Sequence, residues 1–153
     1  MAARKRQGRS RAVAESAPAS GAYGPRRVLL DTHVWLWWIV SDRRLGKRAR
    51  GLIQHAGDAR LSIASMWEIA IKRQTGKLTL HEDLDLSEGV ERDGLVLLPI
   101  TVAHIEAFRA LPRLSRDPFD RMLVAQSQVE GLTIVTADDT IATYDVPAID
   151  ARR

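Results

Sequence analysis

The chain has 153 residues, 45% of them hydrophobic, enough for one domain with a buried core and too few to favour two. It contains no cysteine, which excludes disulfides, a thiol nucleophile and Cys-ligated zinc and points to a reducing compartment such as the cytoplasm. The longest apolar run, Val34 to Val40, falls far short of the roughly 20 residues that span a bilayer, so no membrane association is expected.

The net charge of +4 is unevenly placed. Residues 1–27 carry seven Lys/Arg against Glu15 alone, a net of +6, whereas residues 28–153 carry 16 basic and 18 acidic residues, a net of −2. The basic part is an Ala/Gly/Ser/Arg leader with almost no large apolar residues, so it cannot offset its own ordering entropy. Residues 1–25 are expected to be disordered, as an inert extension, a targeting peptide or a polyanion-binding arm. Residues 26–153 are expected to form the domain.

Within that domain, Arg27 to Leu30 reads as a buried strand followed at once by a capped helix from Asp31-Thr32 through the Trp-rich stretch to about Val40. Leu45, Ala49, Leu52, Ile53 and Ala56 trace one face of a second helix, closed by Gly57. Arg60 to Ile63 predicts another strand, after which Ser65 opens a helix that carries Glu68 and ends near Gly76. A weaker helix follows over 84–92, a strand over 95–98 and a helix marked by Val102, Ile105 and Phe108 that stops before Pro112. Asp117-Pro118 opens the strongest helix signal, running to Gly131; Leu132 to Val135 is a fourth strand and Val146 to Ile149 a short fifth. Strands alternating with helices at this spacing predict an α/β fold, a parallel sheet of four or five strands covered on both faces. In such folds ligands collect beyond the carboxyl ends of the strands.

Four acids fall at those ends: Asp31, Glu68, Asp120 and Asp138. Each has a local explanation. Ser65 to Glu68 fits a capping box, Asp117 to Asp120 fits an N-cap with Pro at N1 and an acid at N3, and Asp138-Asp139 suits a turn. Jointly they are costly, because two unit charges about 4 Å apart repel by roughly 4 kcal/mol at an effective dielectric of about 20. A hard divalent cation relieves that repulsion. Mg²⁺ and Mn²⁺ favour carboxylate oxygens and support in-line displacement at phosphorus, so the chemistry implied is phosphodiester hydrolysis.

The segments Val28-Leu29-Leu30-Asp31-Thr32-His33, Leu61 through Lys72, Arg116-Asp117-Pro118-Phe119-Asp120-Arg121 through Gln126, and Ile134-Val135-Thr136-Ala137-Asp138 resemble, in order, the four signature segments of PIN-domain ribonucleases, specifically the VapC-type toxins of toxin–antitoxin pairs. The resemblance implies a Rossmann-like α/β fold, Mg²⁺- or Mn²⁺-dependent cleavage of RNA, frequent homodimers and inhibition by a small cognate antitoxin. Its catalytic and metal-binding acids map by position onto Asp31, Glu68, Asp120 and Asp138. The chain departs from the pattern in two places. That branch often has a histidine two residues before the Asp-Pro-Phe-Asp run, where this chain has Ser115, and it usually starts almost at the first strand, without a basic leader.

Other features divide between core and site. Trp35 and Trp38 share a helical face with core residues, whereas Trp37 points elsewhere; with Trp67 these rings suit either packing or contact with bases or an antitoxin. Arg116, Arg121 and Lys72 flank the acids and suit either RNA phosphates or ordinary ion pairs such as Glu68 with Lys72. The histidines His33, His55, His81 and His104 lack metal-ligand spacing. Among rival functions, a phosphatase of the haloacid-dehalogenase type would need an Asp where His33 stands. A nucleotide-binding module would need a glycine-rich loop that is absent. The remaining rival is a non-catalytic nucleic-acid-binding module that uses the basic leader.

Overall fold

Alternation along the central strands sends neighbouring residues to opposite faces, and both faces here are covered. The computed structural model describes residues 27–153; the basic leader, residues 1–25, lies outside them. Five strands, β1 (Arg27–Leu30), β2 (Asp58–Ser62), β3 (Val96–Leu98), β4 (Thr133–Thr136) and β5 (Ala148–Asp150), pair entirely in parallel in the order β3-β2-β1-β4-β5. Six helices accompany them: α1 (Thr32–Ile39), α2 (Lys47–His55), α3 (Ile63–Gln74), α4 (Leu86–Arg92), α5 (Val102–Ala110) and α6 (Pro118–Glu130). Val28, Leu30 and Val135 pack on one face with Trp35 of α1, Leu52 of α2 and Ile69 of α3. Leu29 and Ile134 pack on the other with Leu123 and Val124 of α6 and with Tyr144. A parallel sheet buried on both sides needs such continuous apolar strands, and each fully buried aliphatic side chain contributes about 1.5–3 kcal/mol.

The predicted elements form in the predicted order, with shifts at their ends. The largest concerns α3. Ser62, the last residue of β2, caps it by accepting the N–H of Ala64 at 3.0 Å, so the helix begins at Ile63 and the strand ends one residue earlier than predicted. Ser65 therefore lies inside the first turn and Glu68 in the second, and the predicted Ser65–Glu68 capping box does not form. The α4 helix starts two residues later than predicted because the Asp85 carboxylate accepts the N–H groups of Ser87 and Glu88. Trp35 is fully buried as predicted, whereas Trp38 and Trp37 are both half-buried against the same core. Trp37 is held by an edge contact with His33 and by the Arg44 guanidinium 4.9 Å from its ring centre.

The order of the strands reverses between β1 and β4, since the chain moves outward through β2 and β3 and then returns to the other side of β1. That reversal opens a crevice at the carboxyl ends of β1 and β4. The last residues tie back to α2: Gly46 N–H donates to Ala151 O at 2.8 Å and Ala49 N–H to Arg153 O at 2.9 Å. A Cβ on Gly46 would lie 2.2 Å from the Arg153 carbonyl oxygen, so only glycine allows this approach. Trp35 is the largest side chain fully enclosed. We expect Trp35→Ala to destabilise the fold by about 3–5 kcal/mol, read as a lowered denaturant midpoint at unchanged slope.

Candidate active site

Each of the four acids is set in place by the element that ends beside the crevice. Asp31 follows β1 directly, its N–H continuing the ladder to Val135 O at 3.0 Å, and it occupies the N-cap of α1. Its side chain does not cap that helix, contrary to the usual role of Asp there. Instead Oδ2 accepts the Thr136 hydroxyl at 2.6 Å, from the end of β4. Only 2% of Asp31 is exposed, and burial raises its pKa against the opposing effects of His33 and the Thr136 hydrogen bond. His33 Nε2 accepts the N–H of Ala137 at 3.3 Å, which leaves the ring proton on Nδ1, 3.5 Å from Asp31 Oδ2.

Glu68, on the second turn of α3, is 6% exposed and held at both oxygens. Oε2 accepts the Thr32 hydroxyl at 2.5 Å, and Oε1 meets Lys72 Nζ at 2.5 Å, the helical ion pair that the spacing allowed. The Thr32 hydroxyl also lies 2.9 Å from Ser65 Oγ, which gives that serine a role other than capping. Hydrogen bonding to Glu68 raises the pKa of Lys72, so the ammonium stays charged among the acids.

Asp138, just beyond β4, donates its N–H to Thr136 Oγ1 at 2.9 Å and accepts the N–H of Thr140 at 2.7 Å. It shapes the turn, as its local reading suggested, and faces the crevice as well. Thr136 thus joins two acids, one through its hydroxyl proton and one through its oxygen.

The α6 start separates two aspartates three residues apart. Asp117 is the N-cap: its carboxylate accepts the N–H groups of Phe119 at 2.8 Å and Asp120 at 3.4 Å. Asp120 does not return the favour by closing a capping box; the N–H of Asp117 goes to Ser115 Oγ at 3.1 Å. Asp120 is left with a single long contact, Ser115 Oγ at 3.4 Å from its Oδ2. Ser115, the residue in place of the expected histidine, is itself fixed by its N–H donating to the Tyr144 hydroxyl at 2.8 Å. Burial pushes the Asp120 carboxyl up to about 7, followed by the negative charges of Asp117, Asp31, Asp138 and Glu68.

Every other acid of the site therefore acts on Asp120, and the four predicted residues gather at one edge. They do not converge into a cage: among the described residues no three ligand-type side chains sit close enough to grip an ion outright. The donor set is nonetheless all oxygen and charge-crowded, which suits a hard cation such as Mg²⁺ that keeps several waters and needs only one or two carboxylates. Arg121 is a correction to the sequence reading. Its guanidinium lies over the Phe108 ring and donates to Phe108 O and Leu111 O, stapling the end of α5 to α6 rather than facing the acids. Thr32, Ser65 and Thr136 were missed as site residues because Thr32 meets Glu68 across 36 positions, Ser65 meets Thr32 across 33 and Thr136 meets Asp31 across 105, with no local motif to mark them; His33, two residues from Asp31, was missed because only folding turns its ring toward that acid.

Because the folded pKa of Asp120 lies above the carboxylate's ordinary 3.8, the unfolded chain loses this proton first as pH rises. Without divalent cation, the contribution of this group to stability is fully present below about pH 4 and is lost as pH rises toward 7. The melting temperature of Asp120→Asn relative to wild type should therefore rise between about pH 4 and pH 7, read by thermal melts in EDTA across that range. Asp117→Ala should instead cost about 1 kcal/mol through the lost cap.

Comparison with known proteins agrees with this geometry. A family model for the PIN domain matches residues 28–147. Ribonuclease VapC22 of Mycobacterium tuberculosis is 29% identical over 126 residues, 78% of this chain and 93% of that protein. The structure of FitAB bound to the IR36 DNA fragment superposes with a TM-score of 0.56 at 16% identity, covering 82% of this chain and 96% of that one. FitAcB from Neisseria gonorrhoeae gives 0.50 at 19% identity, covering 81% and 97%. With the family model covering most of the chain and the all-parallel sheet carrying its acids at the switch point, the protein belongs to the PIN-domain family.

Proposed function

We propose that the protein is a divalent-metal-dependent endoribonuclease, the toxin of a toxin–antitoxin pair, hydrolysing RNA phosphodiester bonds at Asp31, Glu68, Asp120 and Asp138. The observation that carries this reading is the setting of Asp120: a part-buried carboxyl that accepts only one long side-chain contact, from Ser115 at 3.4 Å, and that burial, followed by the charges of Asp117, Asp31, Asp138 and Glu68, pushes up to about 7. A structural acid would be expected to find a cation or a backbone N–H; this one is left for an added cation. The similarity to Ribonuclease VapC22 supports RNA as substrate.

Asp31, Glu68, Asp120 and Asp138 would hold Mg²⁺ or Mn²⁺, which supplies positive charge against the phosphodiester oxygens and activates water for hydrolysis. Around that, the protein's own groups orient the acids. Thr136 and His33 fix Asp31 from two sides, and Thr32 and Lys72 fix the two oxygens of Glu68. At neutral pH and without cation, Asp120 holds a proton for much of the time; binding of a cation favours its release. A ribonuclease of this kind is harmful unless restrained, which supports an antitoxin partner. Val102 and Ile105 of α5, 75% and 46% exposed, offer an apolar surface suited to a homodimer. Among the described residues no helix is long and apolar enough to cross a membrane.

Purified protein should cleave an RNA oligonucleotide with Mg²⁺ or Mn²⁺ and stop in excess EDTA. Asp31→Asn and Asp120→Asn should each lower cleavage at least a hundredfold while remaining folded. Undiminished cleavage in EDTA would overturn the metal reading. A folded, metal-supplemented protein that cleaves neither RNA nor DNA but binds both would favour the non-catalytic module instead.

A further inference from the structure

Beside the acids, on the far side of Glu68, lies a cavity of about 430 Å³ lined by Ile71, Lys72, Thr75 and Lys77 from the end of α3 and by Arg116 through Phe119 from the start of α6. It shares Glu68 with the acid cluster, so whatever occupies it touches the same edge. Its floor is apolar, made by Ile71, Pro118 and Phe119, and the Phe119 ring is held by an edge contact with Trp67 at 5.4 Å. Trp67 itself is 60% exposed at this rim.

The charges of the cavity sort into spent and unspent. Lys72 is paired with Glu68, and Asp117 is occupied by the N–H groups of α6. Lys77 and Arg116 are exposed, and among the described residues neither forms an ion pair. Lys77 is placed there by Gly76, whose φ of +72° lets the chain reverse after α3 so that Lys77 N–H returns to Lys72 O at 2.8 Å. A smaller cavity near the opposite end of the crevice has the reverse character. It is lined by Asp138, Asp139 and Asp150, and its one cation, Arg152, is already bridged to Asp139 and Asp150. A polyanion leaving the acid cluster is repelled on that side and received on this one.

We infer that the Ile71–Lys77–Arg116–Phe119 cavity is a nucleotide subsite for single-stranded RNA, taking the base next to the scissile bond on its apolar floor and that nucleotide's phosphate between Lys77 and Arg116. The volume is that of a small-ligand pocket, and two free cations above an apolar floor match a phosphate joined to a planar base. Base contact of this kind requires an unpaired strand, because a duplex keeps its base faces stacked. The assignment rests on the ribonuclease reading and adds to it the class of substrate and the residues that position it.

The test uses the full chain and a fluorescein-labelled 12-nucleotide single-stranded RNA, followed by anisotropy in EDTA over a range of salt, with thermal melts as the control for folding. Lys77→Gln and Arg116→Gln should each weaken binding and lower the slope of log K against log salt by about 0.7, and the double variant by about twice that, with melting temperature unchanged. Ile71→Asn should weaken binding of the ordinary strand roughly fivefold or more, yet leave binding of an abasic strand of equal charge unaltered. If wild type binds and cleaves RNA while the double variant keeps its affinity and slope, the subsite is overturned and the nuclease reading stands. If wild type binds no RNA in EDTA, the subsite is overturned, and if it also cleaves none with Mg²⁺ or Mn²⁺, both fall. If the double variant keeps RNA binding but loses a co-encoded protein partner, the cavity is a protein dock and the assignment is overturned.

Discussion

Mutual repulsion among carboxylates is the constraint around which this molecule is arranged. Asp31, Glu68, Asp120 and Asp138 face one crevice, and the cost of bringing them together grows with their burial. The surrounding side chains divide that cost unequally. Thr136 and His33 partly offset the burial of Asp31, Thr32 and Lys72 hold the two oxygens of Glu68, and Asp138 leans on the turn it forms. Asp120 has only a long contact to Ser115, the weakest side-chain support of the four. A fold that neutralised all four would be more stable and would leave no carboxyl without a partner.

The sheet makes this concentration possible. Because β1 and β4 are neighbours in a parallel sheet although more than a hundred residues separate them in sequence, Asp31 and Thr136 meet at their adjoining ends. The apolar strands themselves supply the rigidity: alternate residues of β1 and β4 are locked into opposite cores, so the residues that follow have little freedom to move apart under repulsion. The two helices that bring in Glu68 and Asp120 have their first turns capped by other residues, Ser62 and Asp117. That division of labour frees Glu68 and Asp120 from capping duty and explains how Asp117 and Asp120, three positions apart, differ so much in character. One lies against backbone N–H groups; the other lies against like charge.

The positive charge follows the same logic of spent and unspent groups. Lys72 is absorbed by Glu68 and Arg121 by the carbonyl ends of α5, whereas Lys77 and Arg116 stay open to solvent beside them. Sequence position alone groups these side chains; hydrogen bonding separates them.

Hydrophobic periodicity and cap chemistry in the sequence determined the alternation of strands and helices, the parallel sheet and the placing of Asp31, Glu68, Asp120 and Asp138 at strand ends, because those signals are local and strongly patterned. The Pro118 helix start and the Asp117 cap were legible for the same reason. Element ends were less so: Ser62 and Ser65 are equally good caps by composition, and the choice fell to Ser62 only once β2 paired with β1 and fixed where the chain turns. Tertiary structure alone decided which acids would be compensated. Thr136 reaches Asp31, Thr32 reaches Glu68 and Tyr144 holds Ser115 across long stretches of chain, and none of these contacts leaves a periodic trace. Sequence names the groups that can ionise, but their charge states depend on burial and on neighbours that only folding brings within hydrogen-bonding distance.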